Sequence, residues 1–237
     1  MASSVPRAWL DGCIDAQRRL DAVVERVTDE IARRPSLLEG WTVGHVLAHL
    51  ARNADSHRGM VEAARRDEVA DQYPGGRAER ERGIEEGHGR PASELIADVK
   101  ESNRRLEAAW AATNEETWAV GLGLRRRGPT TVADNVWQRW REVEIHMIDL
   151  GLADVGGPGW DDVSDGYLDV ELRETIADLD GRVPAGTTVV LVPGDRPSRA
   201  VGNGDRRVFV RAAPRRILAW LVGRGGEPSW PQLGPWG

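Results

Sequence analysis

Residues 131–151 read TVADNVWQRWREVEIHMIDLG, and their periodicity decides what kind of fold the chain can build. At 100° per residue, Val132, Val136, Trp140, Val143 and Met147 form one apolar stripe, with Trp137, Ile145 and Ile148 on a second flank. Between the flanks sit Asn135, Glu142, His146 and Asp149. Thr131 stands at the N-cap position with Asp134 three residues on, and Gly151 supplies the stop. A polar strip enclosed by two apolar ones is expected to face the interior of a helix bundle. There a carboxylate and an imidazole are costly unless they are paired or bound to metal. Glu142 and His146 are four residues apart, so both side chains point the same way.

Working outward, residues 42–66 supply the complement. Thr42 is the expected cap, and Val43, Val46, Leu50, Ala54 and Val61 form the apolar stripe of a second helix. His49 lies on the flank of that stripe and is placed to reach the interior. His45 lies further toward solvent and is the second, less well placed candidate. His57 falls on the stripe itself and is expected to be a satisfied core histidine, whereas His88, in a charged loop, is expected to be solvated. One histidine from this helix together with Glu142 and His146 makes a His₂Glu set with a fourth position open, the pattern of a catalytic zinc site. A buried Glu–His hydrogen bond without metal accounts for the same spacing.

The remaining segments complete a bundle. Apolar residues at three- and four-residue steps from Ala8 to Ile31 predict a first helix, with Cys13 packed on its apolar side. The charged, glycine-rich stretch 67–90 reads as a long loop with room for one short helix. A third helix follows Pro91. The segment 113–116 (TNEE) has capping-box spacing, and 121–131 (GLGLRRRGPTT) reads as a link into the helix quoted first. Residues 1–151 therefore predict an antiparallel four-helix bundle. After the Gly/Pro-rich stretch 151–160, residues 160–237 predict a small α/β domain. It has a helix over 163–178, a buried strand at 187–192 and a short strand at 198–201. The GNGD at 202–205 is a hairpin signal, 206–211 is a further strand, and a helix opened by Pro214 follows. The fold class is α+β.

Composition bounds the function. The 237 residues are 40% hydrophobic and 30% charged, with a net charge of −6, which is the balance of a folded protein. A net-acidic chain without a basic run argues against nucleic acid. No run approaches the ~18 apolar residues of a membrane span. The first residues lack the apolar core of a signal peptide, so a cytoplasmic protein is expected. The lone cysteine, Cys13, excludes an internal disulfide and a cysteine-rich metal site. Arginine supplies all but one of the 32 basic residues. Most of these reflect codon composition, and a few are available for anion recognition, where the planar guanidinium outperforms lysine.

The stretches LLEGWTVGHVLAHLARNA (37–54), REVEIHMIDLG (141–151) and LVGRGG (221–226) resemble the mycothiol-dependent maleylpyruvate isomerase family. The resemblance implies a DinB-like, metal-binding four-helix bundle followed by a C-terminal α/β domain. It also implies a zinc ion held by His49, Glu142 and His146, with mycothiol as thiol cofactor. Two arginines of the family pattern fall on Arg80, with Arg77 and Arg82 as competing positions, and on Arg224. The implied reaction is cis–trans isomerisation of maleylpyruvate to fumarylpyruvate in aromatic catabolism, by thiolate addition, rotation and elimination. The partners are then a dicarboxylate substrate and mycothiol, and the chain is expected to be a monomer. Two alternatives stand beside this reading: a mycothiol S-transferase of the same fold acting on another electrophile, and a non-catalytic metal-binding module.

Overall fold

The computed structural model describes residues 5–125 and 128–236, and no helix among them is long and apolar enough to cross a membrane. The fold is α+β, with two small sheets among the helices. The chain divides into two compact units, residues 1–157 and 158–237.

The first unit runs α1 (Arg7–Val24), α2 (Asp29–Arg33), α3 (Val43–Ala64), α4 (Gly76–Gly87), α5 (Ala92–Ala111), α6 (Glu115–Val120), β1 (Leu122–Arg125), β2 (Gly128–Thr131) and α7 (Val132–Asp149). The long helices α1, α3, α5 and α7 make the bundle: α3 packs on α5 and α7, and α7 also packs on α1. Both helices that carry the candidate ligands start at reciprocal caps. The Thr42 side chain accepts from the His45 amide, and the Thr131 side chain accepts from the Asp134 amide. Such caps satisfy amides that the first helical turn leaves without partners.

Three expectations need correction. The single helix over 8–31 is two helices, because the Thr28 hydroxyl accepts from the Ile31 amide at 3.2 Å and starts α2 afresh. The apolar period runs through the break because Val27, in the connecting turn, is itself buried. The link at 121–131 is an antiparallel hairpin with Leu122 opposite Thr131; Arg126 and Arg127 lie outside the described residues. The stretch 67–90 contains a full 12-residue helix, α4. Its sequence, GRAERERGIEEG, buries one large apolar side chain, Ile84, and one residue makes no periodicity. In the 113–116 segment it is Asn114 that caps α6, accepting from the Thr117 amide at 2.7 Å.

Leu20, Leu47, Leu50, Leu95, Leu106, Ile145 and Met147 are fully buried in the bundle. Each such side chain stabilises the fold by ~1.5–3 kcal/mol relative to exposure. Among them lies Arg139, 0% exposed. Its guanidinium donates to Gln17 Oε1 on α1, Leu50 O and Asn53 Oδ1 on α3, and Asn103 Oδ1 on α5. One side chain on α7 thus ties all four bundle helices together.

The second unit contains α8 (Asp165–Ala177), β3 (Thr187–Pro193), β4 (Arg199–Val201), β5 (Arg206–Ala212) and α9 (Pro214–Leu221). Its sheet has the order β4-β3-β5. β4 pairs antiparallel with β3, and β5 pairs parallel with it. The GNGD segment therefore carries the chain past the start of β3 from one edge to the other, and is not the turn of a hairpin. Its glycines permit the close approach: a Cβ on Gly202 would lie 2.4 Å from the Thr187 carbonyl oxygen.

Candidate metal centre

α3 and α7 run antiparallel along one seam. The His57 carbonyl accepts from Asn135 at one level, and His49 faces Glu142 two turns away. At that second level three side chains converge. His49 Nε2 lies 2.9 Å from Glu142 Oε2, and His146 Nε2 lies 3.3 Å from the same oxygen. The two imidazoles meet edge to face with centroids 4.7 Å apart. His49 is 2% exposed, while the Glu142 and His146 side chains remain 21% and 14% open. The donor set is therefore buried at its base and accessible at its mouth, as a site with an open coordination position requires. Two imidazole nitrogens and one carboxylate oxygen, all facing one point, fit a zinc-class divalent ion.

The surroundings orient these donors. His146 Nδ1 is 2.9 Å from Asp149 Oδ2, and Asp149 is 0% exposed. A carboxylate behind the ligand nitrogen fixes the ring and leaves Nε2 facing Glu142. Arg80, on α4, lies within 3.3 Å of His49 Nδ1 and 5.8 Å from the Trp41 ring centroid. A guanidinium carries only donors. Nδ1 of His49 is therefore the acceptor, and the proton of the neutral ring sits on Nε2, donated to Glu142.

Burial raises the cost of the Glu142 charge, but hydrogen bonds from His146 and His49 outweigh it and hold its carboxyl well below the ordinary range. Burial also opposes the His146 charge, and here Asp149 and Glu142 reverse the sign, so its pKa is raised. His49 goes the other way: burial, reinforced by His146 and Arg80 against the pull of Glu142, lowers it to about 4. The resting charge pattern is an ionised Glu142, a His146 that holds its proton more tightly than usual, and a neutral His49.

The structure thus brings His49, Glu142, His146 and Arg80 to one place. Of the competing arginines, Arg77 is paired with Glu81 on an exposed face of α4, and Arg82 is exposed. Arg224 lies in the second unit, where its Nη1 donates to Val222 O and its guanidinium stands 5.6 Å from the Trp236 ring. It lines a cavity of about 340 Å³ with Arg182, Trp220 and Trp236. Cys13 is fully buried, and burial pushes its thiol pKa up, so it offers no thiolate.

Three histidine expectations are corrected. His45 is 8% exposed, with Nδ1 held against Thr42 N at 3.1 Å and Thr42 Oγ1 at 2.7 Å. His88 is the C-cap of α4 and stacks on His45 with centroids 3.6 Å apart. His57 is a core histidine, but neither ring nitrogen has a hydrogen-bond partner among the described residues. Sequence reasoning gave no role to Asp149, although its i,i+3 spacing from His146 was a usable signal. It also passed over Trp41, whose ring faces both His45 and His49. Tyr73, whose buried hydroxyl likewise has no partner among the described residues, had no signal at all.

The family model of the mycothiol maleylpyruvate isomerase N-terminal domain matches residues 13–151. The chain belongs to this family. Over its whole length it also resembles the crystal structure of the mycothiol-dependent maleylpyruvate isomerase. The sequences are 25% identical, both chains are covered at 100%, and the TM-score is 0.86. A histidine-to-alanine mutant of a mycothiol-dependent maleylpyruvate isomerase gives the same coverage and TM-score at 24% identity. Comparison with curated proteins finds no significant match. The segment that matches the family model contains the His₂Glu cluster and Arg80, and the residues after 157 carry Arg224.

Proposed function

We propose that the chain is a zinc- and mycothiol-dependent isomerase that converts maleylpyruvate to fumarylpyruvate, with His49, Glu142 and His146 as metal ligands. The observation that carries this reading is the convergence of His49 Nε2 and His146 Nε2 on Glu142 Oε2. When bound, the ion lowers the pKa of a thiol beside it, and that thiol supplies the reversible nucleophile that lets a cis double bond become temporarily single.

The chain's own residues then have distinct tasks. Asp149 keeps the His146 ring oriented, and Glu142 brings negative charge that offsets the ion. With an ion held by His49, Glu142 and His146, the remaining His49 ring proton would sit on Nδ1, which a guanidinium cannot accept. Arg80 would then be free of His49, and its paired donors suit a substrate carboxylate. Trp41 supplies an apolar wall beside that guanidinium, keeping the Arg80 charge less screened by water. Arg224 is the second arginine that the family resemblance implies, and within its own unit it stands on a cavity wall. The buried Cys13 leaves the nucleophile to be brought in from solution, which accords with a thiol cofactor.

The test is His49→Ala, read by metal analysis and by a maleylpyruvate assay with and without mycothiol. Bound metal and thiol-dependent turnover are expected to fall together, turnover by ~10²-fold or more, since removal of a ligand exceeds the 10–100-fold typical of its supporting partners. Full activity in a variant without metal overturns the proposal. Thiol consumption by wild type without isomerisation points to the S-transferase.

A further inference from the structure

α3 presents a second constellation one turn before His49. His45 Nε2 is 3.7 Å from Glu85 Oε1, and His88 Nε2 is 3.7 Å from Glu85 Oε2. The three donor atoms all lie within 4.8 Å of one another. This group shares no residue with the His49–Glu142–His146 cluster and joins a different pair of helices, α3 and α4. We propose that His45, Glu85 and His88 form a second zinc-class divalent metal site whose occupancy clamps α4, and with it Arg80, onto α3.

The residue types are those of a transition-metal site: two imidazoles and one carboxylate, with a face open to solvent for water ligands. The cluster carries one formal negative charge when both rings are neutral, and burial and the neighbouring His88 both favour the neutral form of His45. The nearby cation Arg90 is already engaged, donating to Asp98 at 2.6 Å. His45 is held from behind, because Thr42 Oγ1 lies 2.7 Å from Nδ1. Ligation through Nε2 leaves the ring proton on Nδ1, where this hydroxyl accepts it at the expense of the Thr42 amide contact. An ion at about 2.0–2.1 Å from each donor needs donors roughly 3.3 Å apart. The side chains that must move to close that gap are Glu85, 66% exposed, and His88, 33% exposed. The His88 ring must also turn out of its stack on His45, where the planes are 15° apart, before both nitrogen lone pairs can face one ion.

The consequence follows from how α4 is held. Ile84 and Gly87 are its buried residues, and Gly87 meets the Ala48 methyl closely enough that a Cβ there would lie 3.1 Å away. A helix with so little apolar burial is held weakly and opens locally. Its Arg80 nevertheless has to reach a substrate carboxylate near the His49 cluster. A metal bridging α3 to the end of α4 restrains the helix that delivers this arginine. The site itself stands independently of the proposed isomerase reading; only the benefit to Arg80 rests on that reading.

The experiment uses full-length, metal-stripped protein titrated with Zn²⁺. Bound zinc is counted per chain, and amide exchange over 76–87 is followed alongside. Wild type is expected to bind two equivalents, with exchange in 76–87 slowing as the second is taken up. Glu85→Gln, an exposed and conservative change, is expected to bind one equivalent and to lose that slowing; His88→Gln repeats the test from the other ligand. His49→Ala is expected to keep the equivalent that Glu85→Gln loses. A wild type whose zinc stoichiometry and exchange are unchanged by Glu85→Gln overturns the second site. A wild type that binds a single equivalent, lost in Glu85→Gln and kept in His49→Ala, would instead overturn the isomerase metal centre and leave this proposal standing.

Discussion

α3 meets α7 and α4 along two very different seams. Against α7 it buries apolar side chains on both flanks of a polar row, with Arg139 and His57 0% exposed and His49 2% exposed. Against α4 it buries Ile84 and little else from that helix. Both seams end in a His/Glu cluster, so the difference lies in what supports the cluster. In the α3–α7 seam the polar groups are locked by packing, and Asp149 sits behind His146. In the α3–α4 seam the carboxylate is exposed and two stacked histidines do the joining. The lesson is that a rigid seam can hold a metal ligand set in advance, while a thin one delivers a movable arginine.

The largest expected effect comes from breaking the rigid seam. Arg139→Leu strands Asn53 Oδ1, Asn103 Oδ1 and Gln17 Oε1 in the interior. Urea unfolding is expected to show a loss of ~3–5 kcal/mol, because three buried acceptors lose their donor at about 1–3 kcal/mol each. A loss below about 1 kcal/mol would mean that the amides re-pair without the guanidinium, and that the seam is less rigid than described.

Acid sharpens the comparison next. Burial, reinforced by the Arg125 and Arg139 charges, lowers the His57 pKa to about 3 from an ordinary 6.5. His57 is therefore neutral in the fold, while the unfolded chain takes up a proton as pH falls through 6.5. The stability linked to this group is fully present above 6.5 and is lost as pH falls toward about 3. The slope is roughly 1.4 kcal/mol per pH unit. Denaturation followed between pH 6.5 and 4 should show the slope of His57→Gln reduced by about one proton. Equal slopes would remove His57 from the account.

The smallest global effect is expected from the thin seam. Ile84→Ala removes the large apolar anchor of α4, and the cost, about 2 kcal/mol at that site, should appear as faster amide exchange over 76–87. The urea midpoint of the bundle should barely move. If the whole bundle loses stability in step, α4 belongs to the cooperative core and the contrast between the seams fails.

Much of the site was legible before the structure, and the reason is periodicity. Glu142 and His146 stand in a polar strip between two apolar ones, and His49 stands beside the apolar stripe of α3, so a period of 3.6 points all three inward. Arg80 was legible only through resemblance, because α4 has one buried apolar residue and no period to betray it. The β1–β2 hairpin was hidden for a related reason: four-residue strands rich in Gly and Pro carry no alternation. His45 and His88 were placed toward solvent because their partner is each other, across 43 residues of chain.

By itself the sequence determined the long helices of the bundle, their caps at Thr42 and Thr131, and the residue types of the candidate metal centre, because caps and amphipathic stripes are local in chain distance. Tertiary structure alone decided the rest. It put Arg80 rather than Arg77 or Arg82 beside His49, stacked His88 on His45, and sent the chain after Gly202 to the far edge of β3. It also ran Arg139 through four helices. Each of these is a contact between segments far apart in sequence, where only packing can tell which of several polar side chains finds its partner.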